Sequence, residues 1–308
     1  MSGRPAIGMR GRPARGVAFV LVIWVIALLS ILRGIFSGIA RTECMHVRHL
    51  FDSATARYAA EAGLNLAVYG LSKPIPEEKW MADGRSYRFT FDGAEVEISI
   101  TDDSGKIDIN AADPEALRNL FIGRGVEELR AGELADAIQD WRDPDDLRSL
   151  HGAELDDYEA VDLPYGPRNA PFETLSEIQQ VFGMDYDTYM KIEPAITMYS
   201  GRATPSAAYA PMEALMAIPG MTPEQAQDII DARQQLPPGV LAAGGSGLML
   251  PDGTPIMADG GGLTYSVKSR ATLPNGASAV LDATIRMGGM NSAGRPYVVL
   301  RWRDGETS

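Results

Sequence analysis

Val17-Ala-Phe-Val-Leu-Val-Ile-Trp-Val-Ile-Ala-Leu-Leu-Ser-Ile-Leu32 runs without a charge, directly after Arg15-Gly16. Arg33 interrupts it, and residues 34–40 are again mostly apolar. A helix crosses a bilayer with about 20 apolar residues. The stretch reaches that length if the aliphatic stem of Arg33 carries its charge to the far interface. On the near side stand Arg4, Arg10, Arg12 and Arg15, with no acid among residues 1–16. That asymmetry predicts a cytoplasmic N-terminus, with everything beyond residue 41 exported. A secretory signal peptide is the alternative. It wants a small-x-small cleavage site after the apolar run, and Ser37-Gly-Ile-Ala40 is a poor match. The helical pattern also continues to residue 71, through Ser53-Ala-Thr-Ala-Arg-Tyr-Ala-Ala-Glu-Ala-Gly63. One long helix is therefore expected, half in the membrane and half packed on a head.

The whole chain of 308 residues bounds the rest of the reading. Its 45% hydrophobic and 22% charged residues exclude a disordered chain and a multi-span membrane protein. The length allows about two domains. A single Cys excludes an intramolecular disulfide and a cysteine zinc site, and three His are too few for most histidine metal centres. Acids exceed bases by 41 to 28, a net charge of −13, and without the four leader arginines the remainder carries −17. Such a surface argues against nucleic acid and permits cation binding.

Beyond the stalk, Tyr87-Arg-Phe-Thr-Phe91 and Ala94-Glu-Val-Glu-Ile-Ser-Ile-Thr101 alternate in polarity around Asp92-Gly93, a strong hairpin signal. Lys106-Ile-Asp-Ile109 is a candidate third strand. Residues 265–273 and 279–286 flank Pro274-Asn-Gly276, and residues 297–302 complete the set. Strands at both ends of the exported chain predict one sheet closed by segments distant in sequence. Residues 110–236 have a helical pattern instead. Asp113-Pro114 reads as an N-cap with proline at the first helical position, and Leu117, Leu120 and Phe121 share a face. Residues 133–141, 174–182, 213–218 and 223–233 are further short helices. Ala112-Asp-Pro-Glu-Ala-Leu117 is echoed by Ala210-Pro-Met-Glu-Ala-Leu215, each leading to a glycine turn, at Gly123 and Gly220. Residues 237–262, rich in glycine and proline, keep no amphipathic period and read as a flexible loop.

Arg15-Gly16 before the apolar helix resembles the leader of type IV pilins and pseudopilins. The resemblance implies cleavage between Gly16 and Val17 by a prepilin peptidase and methylation of the new terminus. Most of that family carry Glu at the fifth mature position; here it is Leu21. Residues 16–25 resemble the type II secretion system protein K family, minor pseudopilins that lack this Glu. A carboxylate in the membrane is costly unless it meets a charge, and a subunit without one can sit at a filament end. Asp103-Ser-Gly-Lys-Ile-Asp-Ile-Asn-Ala-Ala112, Ala137-Ile-Gln-Asp-Trp-Arg-Asp-Pro-Asp-Asp146, Gly152-Ala-Glu154, Tyr158, Arg168-Asn-Ala-Pro-Phe172, Glu177 and Val181-Phe-Gly-Met184 follow in the family's order. The resemblance implies an α+β fold: a pilin-like long N-terminal helix and antiparallel sheet, with a large inserted α-helical domain, SAM-like or helix-hairpin-helix-like. The divisions are a leader at 1–16, a membrane part at 17–40, and stalk helix with first strands at 41–109. The inserted domain takes 110–236, the Gly/Pro-rich loop 237–262 and the C-terminal strands 263–308.

The densest acid cluster is Asp140-Trp-Arg-Asp143-Pro-Asp145-Asp146, followed by Glu154-Leu-Asp156-Asp157. Carboxylates so clustered suit a hard cation. A solvated acidic turn with helix caps explains the composition equally well, and an EF-hand does not fit. The family resemblance implies calcium in this lobe, with Asp143, Asp145, Glu154 and Asp157 as ligands and Asp146 and Asp156 behind them. Ile218-Pro-Gly-Met-Thr-Pro-Glu-Gln-Ala226 looks like a helix-hairpin-helix turn, but Thr222 replaces the second glycine and Glu224 and Asp228 flank it. Packing explains it better than phosphate binding. His46, His49 and Cys44 lack companions for a metal or a nucleophile, and Ser104 lacks a nucleophile elbow. No catalytic residues and no enzyme activity are expected.

The resemblance thus implies an inner-membrane, single-pass minor pseudopilin with a periplasmic head. Its partners would be minor pseudopilins I and J, at the tip of the secretion pseudopilus. A minor type IV pilin or DNA-uptake protein, and an anchored periplasmic enzyme, are the rivals.

Overall fold

The computed structural model describes residues 15–237, 247–258, 261–288, 294 and 296–305. Residues 1–14 of the expected leader lie outside them. The chain forms two compact units, Met1–Ala54 and Thr55–Ser308. The first is the start of helix α1, which runs over Arg15–Leu71. It contains an 18-residue window of mean hydropathy 2.6, none of it buried, long and apolar enough to cross a membrane.

The second unit begins with the last turns of α1. Ala56, Ala59, Ala60, Leu64, Ala67, Val68 and Leu71 recur at i, i+3 and i+4 and are buried. They pack on one face of a five-stranded antiparallel sheet of order β1-β2-β5-β6-β7. The small alanines let the helix lie close. At Gly63 the approach is closest, since a Cβ there would overlap the Ser269 hydroxyl. Strands β1 (Asp83–Phe91) and β2 (Ala94–Asp102) form the expected hairpin, Phe91 paired with Ala94. Asp92 and Gly93 both take positive φ, as the tight turn requires. From β2 the chain enters the helical lobe.

The lobe opens with β3 (Ile107–Asp108), which is not a strand of the large sheet. It pairs in parallel with β4 (Ile196–Thr197) inside the lobe. That corrects the expectation of a third sheet strand: a two-residue pairing across some ninety positions leaves no local period to read. Between them lie α2 (Pro114–Gly123), α3 (Glu128–Arg142), α4 (Leu155–Ala160) and α5 (Tyr186–Ile192), with a 3-10 turn over Leu175–Gln180. α6 (Met212–Leu215) and α7 (Pro223–Gln235) follow. Asp113 caps α2 as expected, its Oδ1 accepting from Ala116 N at 2.7 Å. The helices α4 and α5 were not expected from the sequence. The Gly/Pro-rich loop is only partly described. Its residues 247–258 are not free: Met249 bridges Pro255, and Ile256 is buried in the lobe core.

The chain leaves the lobe into β5 (Thr264–Thr272), next to the strand by which it entered, and continues through β6 (Ser278–Met287) and β7 (Tyr297–Gly305). Asp102 pairs with Tyr265, so both crossings lie at one end of the β2–β5 ladder. Asp102 also holds the returning chain, accepting from Gly262 N at 2.8 Å. Lobe and sheet keep separate hydrophobic cores. Polar groups join them. Asp103 accepts from Ser266 and Thr197 hydroxyls, each at 2.6 Å, and Arg301 pairs with Glu193 at 3.2 Å. Arg233 of α7, 1% exposed, donates to the carbonyls of Asp83 and Ala207. Burial lowers its pKa to about 10.

Candidate functional site

The site is built where α3 ends. Asp140 and Trp141 face inward from its last turn, and Pro144 follows the C-cap Asp143. Trp141 stacks on Phe172 and lies edge-on to Tyr165, an aromatic floor that fixes where the chain turns. The chain then loops out and returns at Gly152, packed so closely that a Cβ there would overlap the Asp140 carboxylate. Asp140 accepts from Ser149 N with both oxygens at 3.1 Å. Asp136 accepts from His151 N at 3.0 Å.

This return brings the acids together. Burial raises the pKa of Glu154 to about 7, reinforced by the charges of Asp140, Asp143, Asp146 and Asp145. Burial also raises Asp140 and Asp143. Three buried oxygens here make no hydrogen bond: Asp143 Oδ1, Glu154 Oε1 and Asn169 Oδ1. Asn169, at positive φ, donates its amide to Asp146 at 2.9 Å. Buried oxygens without donors are what a hard cation would satisfy.

Of the four ligands expected from the sequence, Asp143 and Glu154 sit in this cluster. Asp145 stands exposed at its rim, its Oδ1 turned to Leu147 N at 2.9 Å. Asp157 is engaged elsewhere: it accepts from Glu154 N at 3.0 Å and pairs with Arg148 at 3.0 Å. Asp146 joins the cluster, and Asp156 is exposed. Asp140 and Asn169 were not expected as ligands. Among the described residues no three acidic or histidine side chains stand as close as a bound ion would hold them. The donor set fits a hard cation, and the loop would have to tighten around one.

The remaining candidates lie apart from this cluster. The backbone of Gly16 and Val17 is helical, in the first turn of α1. His46, His49 and Cys44 are exposed on the same helix. Ser104 is buried in a 3-10 turn. Met221 is buried behind Gly220, and Thr222 caps α7 with Gln225.

A sequence profile of the family described as "Type II secretion system (T2SS), protein K" matches residues 98–201, from β2 through the acid cluster to the end of β4. Over those residues the chain is similar to protein K. Type II secretion system protein K of Klebsiella pneumoniae is 27% identical over 203 residues, 59% of this chain and 62% of that protein. The protein K of Pectobacterium carotovorum subsp. carotovorum is 27% identical over 215 residues, 61% and 63%. The matched part thus spans somewhat less than two thirds of either relative. The fold is that of a chain in the crystal structure of the GspK-GspI-GspJ complex from the enterotoxigenic Escherichia coli type 2 secretion system. The TM-score is 0.55 at 20% identity, over 87% of this chain and 99% of that one. The pilin-like helix and sheet with an inserted helical domain are therefore the observed architecture.

Proposed function

We propose that this chain is a minor pseudopilin of a type II secretion system, seated at the pseudopilus tip, where it starts or caps assembly and supports export across the outer membrane. The observation that carries the reading is the protein K match over the inserted lobe, the part that distinguishes this chain from a plain pilin. Its task is assembly, not covalent catalysis. Its partners are minor pseudopilins I and J, the kind of complex in which the E. coli chain of like fold was crystallised. Leu21, in place of the membrane glutamate, supports an end position, because no buried carboxylate there needs a neighbour's amine. The apolar window of α1 is the inner-membrane anchor, with the arginine-rich end cytoplasmic and the head periplasmic. Prepilin peptidase cuts between Gly16 and Val17, and the new terminus is methylated.

The acid cluster holds a structural calcium ion. Asp143, Glu154, Asp140, Asp146 and Asn169 Oδ1 supply oxygens, and Asp145 closes on it from the rim. Two measurements test the reading. Co-purification of the membrane form with minor pseudopilins I and J is expected; homopolymeric filaments of this chain alone would contradict it. Intact mass should place the mature terminus at Val17, and a terminus after Ala40 would replace the anchor with a cleaved signal.

A further inference from the structure

On the lobe, α2, α3 and the returning loop enclose an open groove of about 730 Å³. Leu129 and Leu150 line it, 58% and 86% exposed. An exposed leucine on a loose loop would mean little. Leu150 is not loose: the amides on either side, of Ser149 and His151, are held by Asp140 and Asp136 of α3. The backbone on both sides of Leu150 is thereby tied to α3. Leu129 and Leu150 thus present apolar surface within one groove, and it is apolar surface gathered in one place that marks a contact site.

Gly132 lies in the middle of α3 and lines the same groove. Glycine inside a helix costs stability relative to alanine. The glycines at 63, 123 and 152 are explained by this chain, since a Cβ at each would overlap a neighbour. At Gly132 an added Cβ meets nothing within 4 Å. Among the described residues nothing calls for its small size, and it opens the helix backbone to close approach from outside. The rim is acidic. Glu115, Glu127, Glu128 and Asp136 stand around one cation, Arg118, which is paired with Glu128.

We infer that this groove receives an amphipathic helix of a partner protein, one that sets leucine-type side chains on Leu129, Leu150 and the Gly132 backbone and lysine or arginine on the acidic rim. Helix-in-groove recognition uses this combination of apolar anchors and flanking charge. The groove is lined by lobe residues alone, and the inference does not rest on the tip reading.

The test uses the full chain in phosphatidylcholine nanodiscs, with empty discs as the blank. The probe is a fluorescein-labelled leucine–lysine peptide with leucines at i, i+3, i+4 and i+7, followed by anisotropy. Saturable binding is expected, weakened by added salt and by about tenfold or more in Leu150→Asp and in Gly132→Leu. Gly132→Ala separates the two roles of that position: it should melt at a higher temperature yet bind more weakly. The same peptide with glutamate for lysine should not bind. Saturable binding unchanged by Leu150→Asp and Gly132→Leu, equal binding of the glutamate peptide, or no binding above empty discs would each overturn the inference.

Discussion

Glu154 lies buried among carboxylates, and its pKa of about 7 exceeds the 4.5 of a free glutamate. The folded lobe therefore takes up a proton more readily than the unfolded chain. Its stabilising effect is complete below about 4.5 and is lost as pH rises through about 7. In chelator, the lobe should weaken from about pH 5 to about pH 8 by on the order of 2 kcal/mol. Glu154→Gln should flatten that slope. Calcium should reverse it, because a bound cation favours the ionised oxygens that the proton otherwise occupies. Trp141, on the floor of the site, gives a fluorescence readout of melting at each pH. A melting temperature indifferent to pH, to calcium and to the substitution would remove the site. The sequence displayed the acid cluster but not its membership. Asp140 is the inward-facing acid of a helix, and Asn169 is a neutral residue brought in by a left-handed turn; neither fact is local. Asp157, a ligand by the family resemblance, is engaged by the amide of Glu154 and by Arg148.

Elements with their own turn or cap chemistry were legible in advance. Asp92-Gly93 dictates its hairpin, and Asp113-Pro114 starts its helix. Elements that exist only through distant contacts were not. β3 needs β4, and the short helices α4 and α5 are held by the lobe core through Tyr158, Tyr189 and Ile192. The stretch around Ile256 lacks any period because a tight turn, Met249 bridging Pro255, and scattered contacts of Leu248, Leu250 and Ile256 with the lobe core hold it. The stalk carries a sharper demand than its amphipathic stripe reveals. Gly63 costs α1 about 1 kcal/mol of helix propensity relative to alanine. In return the helix rests directly on Ser269 and Val96. Gly63→Leu should lift the helix from the sheet and destabilise the head by about 2–4 kcal/mol, within the range of overpacked cores. Denaturant titration followed at Trp80, which stacks on Tyr87, measures it; an unchanged midpoint would show that the approach is not tight.

Across the whole of residues 55–308, the lobe is an insertion between two strands that are already partners. Asp102 and Tyr265 face each other in the ladder, so a short turn from residue 102 to residue 264 could replace everything between. Such an excision should leave a folded α1-and-sheet unit with strand circular dichroism and cooperative melting. It should also abolish the calcium response. Loss of all cooperative structure would show that the two cores do not stand apart. The same arrangement sets an order of events in time. The hairpin of β1 and β2 is made first along the chain, but β2 must wait for β5, and its free edge stays open meanwhile. Closing so long a loop before any β2–β5 contact forms is an entropic barrier, and non-local pairing of this kind is slow. A lobe that collapses early removes most of that barrier by delivering residues 102 and 264 side by side. In refolding, Trp141 should thus reach its native signal before Trp80 and Trp302 reach theirs. Substitutions that delay the lobe would then leave an open strand edge exposed for longer, and aggregation would be a consequence of timing, with native stability unaltered.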